Sequence, residues 1–414
     1  MAEMNLPLSE IGREHIKLND KFGAHNYHPL PVILSRGQGE WVWDVDGKRY
    51  LDMLSAYSAV NQGHIHPRML ATLTEQGQRI TLTSRAFYND QIGPWLKELT
   101  SLCEMDRALP MNSGAEAVET AIKVARKWGY LVKKVPHNSA EIIVCDSNFH
   151  GRTTMIVGFS SDDQYRANFG PFTGGFKIIP YGDAEALRKA ITPNTVGFLV
   201  EPIQGEAGVI VPPDGYLSEC DKICKTNNVL LMVDEIQTGL CRTGKLFCFQ
   251  HDNCKPDLLI LGKALGGGFY PISAVVGSDN VLGLLKPGDH GSTFGGNPLA
   301  CALSRTAINI LVDEQLASRS HEMGELFRTR LKKSLPRTVV KEVRGRGLLN
   351  AIELLPEAGP ARLFSEQLAL RGVLAKETRD TTIRFAPPLV ISAEAMEWAL
   401  SQIEEVFSVR RAAH

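Results

Sequence analysis

The stretch Asp257–Ser273 reads DLLILGKALGGGFYPIS, and the fold turns on how it is parsed. Leu258 to Leu261 are four consecutive apolar residues, a run short enough for a buried strand, and Gly262 ends it. Lys263 follows at once, with Gly266, Gly267 and Gly268 behind it. A lysine ammonium that loses its water has its pKa pulled down towards the free amine. The free amine is the nucleophile that forms Schiff bases with carbonyls. A lysine snorkelling from a strand end has the same local sequence, so the neighbouring segments decide between the two.

On either side of this stretch, further short apolar runs are expected to be strands. They are EIIVCD (141–146), MIVGF (155–159), FKIIP (176–180), VGFLVEP (196–202), VLLMVDE (229–235) and ISAVVG (272–277). Alternation of such runs with helical or loop segments predicts an α/β fold with a mainly parallel sheet flanked by helices. Ligands of such sheets gather beyond the carboxyl ends of the strands. The polar residues expected there are His150, Arg152, Glu201, Glu206, Asp234, Gln237 and Lys263.

Farther out, residues 9–21 read as a polar helix. Pro29, Pro31, Gly37, Gly39 and Asp46-Gly47 break the next segment into hairpins, with Tyr27 and Tyr57 in turn-rich sequence at its two ends. Helices are expected near 68–80, 92–103, 301–314, 318–335, 361–371 and 393–410. VVKEVRGRGLLNAIEL and the residues around 373–386 read as strands. With 414 residues the chain exceeds one compact core. The expected division is a large domain over 60–300 and a smaller α+β domain made from 1–59 and 301–414.

Composition excludes several classes. The net charge of −1 offers no field for nucleic acid or an anionic membrane, and no apolar run reaches the roughly 18 residues of a membrane span. The first twenty residues carry Glu3, Glu10 and Glu14 and no apolar core, so neither a signal nor a transit peptide is expected. The cytoplasm is the expected compartment, and eight scattered cysteines suit free thiols in a reducing environment. Cys220 and Cys224 at i, i+4 have no second pair to complete a metal site, and His64 and His66 lack a neighbouring ligand. No metal is expected.

Gly239, Gly244 and Lys245 imitate the start of a phosphate-binding loop of an NTPase. Leu246 stands where the magnesium-binding hydroxyl belongs, however, and LCRT is bulky where that loop needs small residues. A stronger phosphate site is Ser113-x-x-Glu116, a capping box that opens a helix at Gly114 with free N–H groups at its positive end. Asp234 ends a strand of apolar residues, and its distance from Lys263 fits one strand–helix–strand crossover, which puts both side chains at one sheet edge. A buried carboxylate for a pyridinium nitrogen and an amine for a Schiff base are the two groups that pyridoxal phosphate requires. The helix at Gly114 supplies the third anchor.

These segments, with GAHNYHPLP, LSAYSAVNQGHIHP, EPIQGEAGVIVP, GSTFGGNPLA and RFAPPL, resemble the class III pyridoxal-phosphate aminotransferases from about residue 21 to the C-terminus. The resemblance implies the fold-type I architecture of pyridoxal-phosphate transferases and a homodimer with its active site at the subunit interface. It also implies that Lys263 holds the cofactor covalently and shuttles a proton once released, and that Asp234 pairs with the ring nitrogen. Gln237 would bond the phenolic oxygen and Phe149 would stack on the ring. Gly114 and Ala115 would hold the phosphate, joined by Ser292 and Thr293 of the neighbouring subunit.

Within that resemblance, Tyr27 in GAHNY, Tyr57 in LSAYS and the run NFHGRT imply L-ornithine as amino donor, with 2-oxoglutarate as acceptor and L-glutamate as product. In that reading Arg384 binds α-carboxylates and Glu206 masks it while ornithine is bound. Arg152 would hold the distal carboxylate and Tyr27 the distal amino group. N-acetylornithine and 4-aminobutyrate are the rival donors within the class; an NTPase or a cofactor-free binding protein are the rivals outside it. His150 departs from the aromatic residue expected beside Phe149, with a modest effect on the cofactor's surroundings implied.

Overall fold

The computed structural model describes residues 8–409. The chain begins with the helix Glu10–Phe22, capped by Ser9 Oγ, which accepts from Gly12 N. Strands β1 (Leu34–Gln38), β2 (Trp41–Asp44) and β3 (Arg49–Asp52) then form consecutive antiparallel hairpins, as the turn residues predict.

Seven strands build the central sheet: β4 (Arg107–Met111), β5 (Glu141–Cys145), β6 (Phe176–Ile179), β7 (Thr195–Val200), β8 (Leu230–Asp234), β9 (Leu258–Leu261) and β10 (Ser273–Gly277). Their order is β4-β10-β9-β8-β7-β5-β6. The block from β9 to β6 is parallel, and β10 runs antiparallel to both β9 and β4. Every residue of β7, β8, β9 and β10 is buried, because layers cover both faces of the sheet. The helix Gly114–Trp128 packs its apolar stripe on one face, and Tyr216–Thr226 packs alongside β8.

The remaining strands are β11 (Val340–Arg346), β12 (Leu349–Leu354), β13 (Val373–Leu374), β14 (Lys376–Thr378) and β15 (Thr382–Phe385). An antiparallel sheet of order β11-β12-β15-β14 is backed by the helices Leu316–Ser334 and Ala361–Leu370. The helix Ala393–Val409 packs on those two helices. Strand β13 leaves that region and pairs in parallel with β3, so the two ends of the chain share one sheet. No described helix is long and apolar enough to cross a membrane.

Three details differ from the sequence reading. Residues 155–159 are not a strand; Thr154–Gly158 is helical. A short apolar run reads alike in either state, and Asn148 Nδ2, donating to Cys145 O (2.7 Å) and Phe159 O (3.1 Å), draws the segment back across the end of β5. Strand β4 is not among the strands expected from sequence; it contains Pro110 and lies at the sheet edge, the position at which a strand tolerates a residue without an N–H. The crossover from β8 to β9 contains one 3₁₀ turn, Cys248–His251, in place of an α-helix.

Candidate active site

Strand β4 opposes β10, which opposes β9, so β4 runs in the same direction as the parallel block. The carboxyl ends of β4, β5, β7, β8 and β9 therefore lie along one edge, and they deliver Gly114, Phe149 with His150, Glu201, Asp234 and Lys263 in turn. These residues line a cavity of about 210 Å³, together with Ala115 and Gln237.

Lys263 opens a 3₁₀ turn directly after Gly262 and has φ +43°, the left-handed region that a non-glycine residue enters only under constraint. Burial pulls its amine below the ordinary lysine pKa, against the opposing charge of Glu206. Asp234 is the last residue of β8 and is buried. Its Oδ1 accepts from Ile236 N (3.0 Å), and its Oδ2 lies 2.7 Å from His150 Nδ1. Burial alone would lower the pKa of His150; the hydrogen bond to Asp234 and the charges of Asp234 and Glu201 outweigh it and raise the value. The other ring nitrogen, Nε2, is buried without a partner. His150 is thus a polar partner of Asp234, a larger role than its sequence position implied.

Glu201 Oε2 accepts from Phe149 N (3.0 Å) and so fixes the backbone that carries Phe149. Burial pushes the Glu201 carboxyl up to about 7. At the helix start, Ser113 Oγ accepts from Glu116 N (3.2 Å) and Glu116 Oε2 accepts from Ser113 N (2.7 Å), the reciprocal cap read from sequence. Gly114 and Ala115 are the first two residues of that helix and face the cavity at its positive end.

Gln237 connects this cavity to a second group. Its Nε2 donates to Glu206 Oε1 (3.1 Å), and its Oε1 accepts from Arg384 Nη1 (3.1 Å). A side chain at Gly205 would meet Gln237 Oε1 at 1.9 Å, so only glycine leaves Gln237 this seat. Arg384 Nη1 also donates to Glu206 Oε1 at 2.8 Å. Burial would raise the Glu206 pKa, but the charges of Arg384 and Lys263 and the bonds from Arg384 and Gln237 bring it down to about 2. Glu206 is therefore ionised at neutral pH where it meets the Arg384 guanidinium.

The ring of Tyr57 lies 4.8 Å from the Arg384 guanidinium carbon. Tyr57 sits in a run of four left-handed residues, Ser55 to Ser58, with φ of 50°, 46°, 61° and 71°. Asp52 Oδ1 holds the entry to that run by accepting from Leu54 N and Ser55 N, both at 2.8 Å. Such strain is kept where surrounding structure enforces it, commonly at functional sites.

At the other side of the cavity the Arg152 guanidinium lies 4.5 Å from the ring of Tyr165, 5.8 Å from Phe149 and 5.9 Å from Tyr27. Tyr27 is exposed; Tyr165, in the short helix Asp163–Arg166, sits in polar sequence whose pattern gives no sign of a site. Ser292 and Thr293 do not line the cavity. Ser292 Oγ accepts from Asn112 Nδ2 (2.8 Å) and Gly295 N (3.0 Å), and Thr293 is exposed.

The NTPase-like segment is closed to phosphate. Arg242 is fully buried; its Nη1 donates to Leu348 O (2.9 Å) and Pro387 O (2.6 Å), and its Nη2 bonds Asn61 Oδ1. It ties three distant segments together. Among the described residues no cluster of three or more His, Cys, Asp or Glu side chains could hold a metal.

A sequence profile described as aminotransferase class-III matches residues 22–407. An ornithine aminotransferase of Brevibacillus brevis is 57% identical over 394 residues, covering 95% of this chain and 98% of its own. A crystal structure of the ornithine aminotransferase from Toxoplasma gondii, with partial occupancy of pyridoxal phosphate at its active site, superimposes with a TM-score of 0.96. It is 47% identical and covers 97% of this chain and 95% of its own. An acetylornithine aminotransferase from Elizabethkingia anophelis follows with a TM-score of 0.88 and 48% identity, covering 96% and 99%. A lysine, a carboxyl and a capped helix start at one sheet edge, in a chain matched along nearly its whole length, leave one conclusion. The chain belongs to the class-III aminotransferases.

Proposed function

We propose that the chain is an ornithine δ-aminotransferase. It moves the terminal amino group of L-ornithine to 2-oxoglutarate, giving glutamate 5-semialdehyde, which cyclises, and L-glutamate. The observation that carries this reading is the ion pair of the half-buried Glu206 with the buried Arg384, beside the lysine cavity.

Pyridoxal 5′-phosphate fits the residues present. An amine of lowered pKa, a buried carboxyl braced by His150, and two helix-start N–H groups match its aldehyde, ring nitrogen and phosphate. When bound, the cofactor supplies the electrophilic carbon and the electron-withdrawing ring that transamination needs. Lys263 would hold it, and afterwards Lys263 Nζ would take the proton from the substrate carbon that carries the amino group. Asp234 would face the ring nitrogen, Phe149 would stack on the ring, and Gln237 would be within reach of the phenolic oxygen.

The two substrates pose opposite demands. Ornithine must present its terminal amino group, whereas glutamate and 2-oxoglutarate react beside an α-carboxylate. A free arginine near the reacting carbon would grip carboxylates and misplace ornithine. Glu206 neutralises Arg384 for ornithine and must swing away for the dicarboxylates, with Tyr57 packed on the arginine. Arg152 would hold the distal carboxylate in both half-reactions, and Tyr27, 5.9 Å from its guanidinium, would hold the α-amino group of ornithine.

Ser292 and Thr293 would serve the cavity of a second copy. Phe87 and Tyr88, 74% and 98% exposed, lie on the loop whose Asn89 bonds Gly296 O, so an apolar surface accompanies this segment. A homodimer accounts for both features. Eight free, buried cysteines suit the cytoplasm as compartment.

N-acetylornithine is the second reading, favoured by the resemblance to the acetylornithine enzyme. Replacing Glu206 by Gln distinguishes a switch from an ordinary ion pair. The substitution is expected to raise the ratio of the glutamate to the ornithine half-reaction by at least about 10-fold, the effect of roughly 1.4 kcal/mol of lost pairing. Stopped-flow rates of each half-reaction, with one substrate at a time, give that ratio. An unchanged ratio would remove the switch.

A further inference from the structure

We propose that Arg344 is a positioning residue that keeps the Glu206 loop in the geometry in which Glu206 can close on Arg384. The inference rests on the switch described above, and it assigns the substrate preference partly to a residue that touches neither substrate nor cofactor.

Glu206 lies on a short closed loop, with Gln204 and Ile210 bonded to each other at 3.1 and 3.0 Å across its base. Three strands of the antiparallel sheet reach this loop, each at a different point. From β15, Arg384 bonds the Glu206 side chain. From β14, Thr378 Oγ1 donates to Glu206 O at 2.6 Å. From β11, Arg344 Nη2 donates to Gly208 O at 2.7 Å, and its Nε donates to Gly208 O at 3.0 Å and Val209 O at 3.1 Å.

Arg344 is itself fixed. Its Nη1 donates to Glu342 at 2.9 Å and also bonds Glu353, and its side chain is 10% exposed. Gly208 has φ +117°, a conformation that side-chain-bearing residues avoid, and a Cβ there would lie 3.2 Å from Arg344 Nη2. The path of the loop and the seat of the arginine therefore require each other.

A switch of this kind works by turning one side chain about a fixed backbone. Opening separates Glu206 from Arg384; reclosing demands that the carboxylate return to within hydrogen-bond distance of a guanidinium whose backbone is paired on both sides within β12, β15 and β14. If the loop drifts by an ångström, the closed pair weakens, while the open state, in which Arg384 meets a substrate carboxylate, is unaffected. Loss of the anchor acts on one half-reaction. Arg344 donates from a charged group into two carbonyls, bonds of the stronger kind, and Thr378 adds a neutral one.

The test compares Arg344→Met, Arg344→Lys and Thr378→Val with Glu206→Gln, each as holoenzyme, by measuring the glutamate and ornithine half-reactions separately. Arg344→Met is expected to raise the glutamate-to-ornithine ratio on the order of 5- to 10-fold, in the same direction as Glu206→Gln, consistent with loss of one charge-assisted anchor. Arg344→Lys, which keeps one donor, falls between Arg344→Met and wild type. If Arg344→Met does not fold, Thr378→Val carries the test, with an expected rise of about 2- to 5-fold for one neutral hydrogen bond. Equal slowing of both half-reactions, while Glu206→Gln still shifts the ratio, overturns the proposal and leaves Arg344 a structural residue. No shift in Glu206→Gln itself overturns the switch, and the proposal with it.

Discussion

Replacing Lys263 with alanine is expected to lower the transamination rate by at least about 10³-fold, the range for loss of a positioned general acid–base. Three features of the structure support this expectation. It follows the fully buried β9, so its Cα is fixed by the sheet. Its left-handed backbone, φ +43°, turns the chain at the cavity. Burial brings its amine towards the neutral form that accepts protons. In the wild-type enzyme, borohydride should fix the cofactor to the peptide that carries Lys263, detectable as a mass increment after proteolysis. Lys263→Ala should show neither the increment nor turnover. Retention of the increment on another lysine would refute the assignment.

Asp234→Ala is expected to cost about 10²–10³-fold in rate, or roughly 2.7–4 kcal/mol, as for removal of one preorganised electrostatic partner. The carboxyl is buried at the end of β8 and already bonded at 2.7 Å to His150, so it needs no reorganisation to face a ring nitrogen. Asp234→Asn keeps the shape without the charge and should lose nearly as much as Asp234→Ala. Binding of the cofactor, followed by its visible absorption during dialysis, should weaken in both. A variant that loses the cofactor yet regains full activity when saturated with it would reduce Asp234 to an affinity role.

Much of this site is legible in the sequence. Lys263 and Asp234 each close an apolar run too short for a helix, and a parallel sheet places such ends at one edge. The Ser113–Glu116 box is a local pattern, and it formed as read. Arg384 and Glu206 are different: 178 positions apart, they could be paired only through the family resemblance. The partnership of His150 with Asp234 depends on two strand ends, β5 and β8, with β7 between them, and no spacing announces it.

The failures have physical causes as well. MIVGF is apolar without a decisive period, and side-chain bonds from Asn148 settled its state. Strand β4, absent from the expected strands, contains Pro110 at a sheet edge that tolerates it. Arg344 and Thr378 act on backbone carbonyls, which every residue possesses, so their partners leave no trace in the residue types.

A cavity with a masked arginine beside it suits the terminal amino group of ornithine. Specificity constants for L-ornithine, N-acetylornithine and 4-aminobutyrate, each with 2-oxoglutarate as acceptor, test it most directly. Ornithine is expected to exceed both competitors by at least about 10-fold in kcat/KM, the worth of one well-placed polar contact. A preference for N-acetylornithine or 4-aminobutyrate would contradict it.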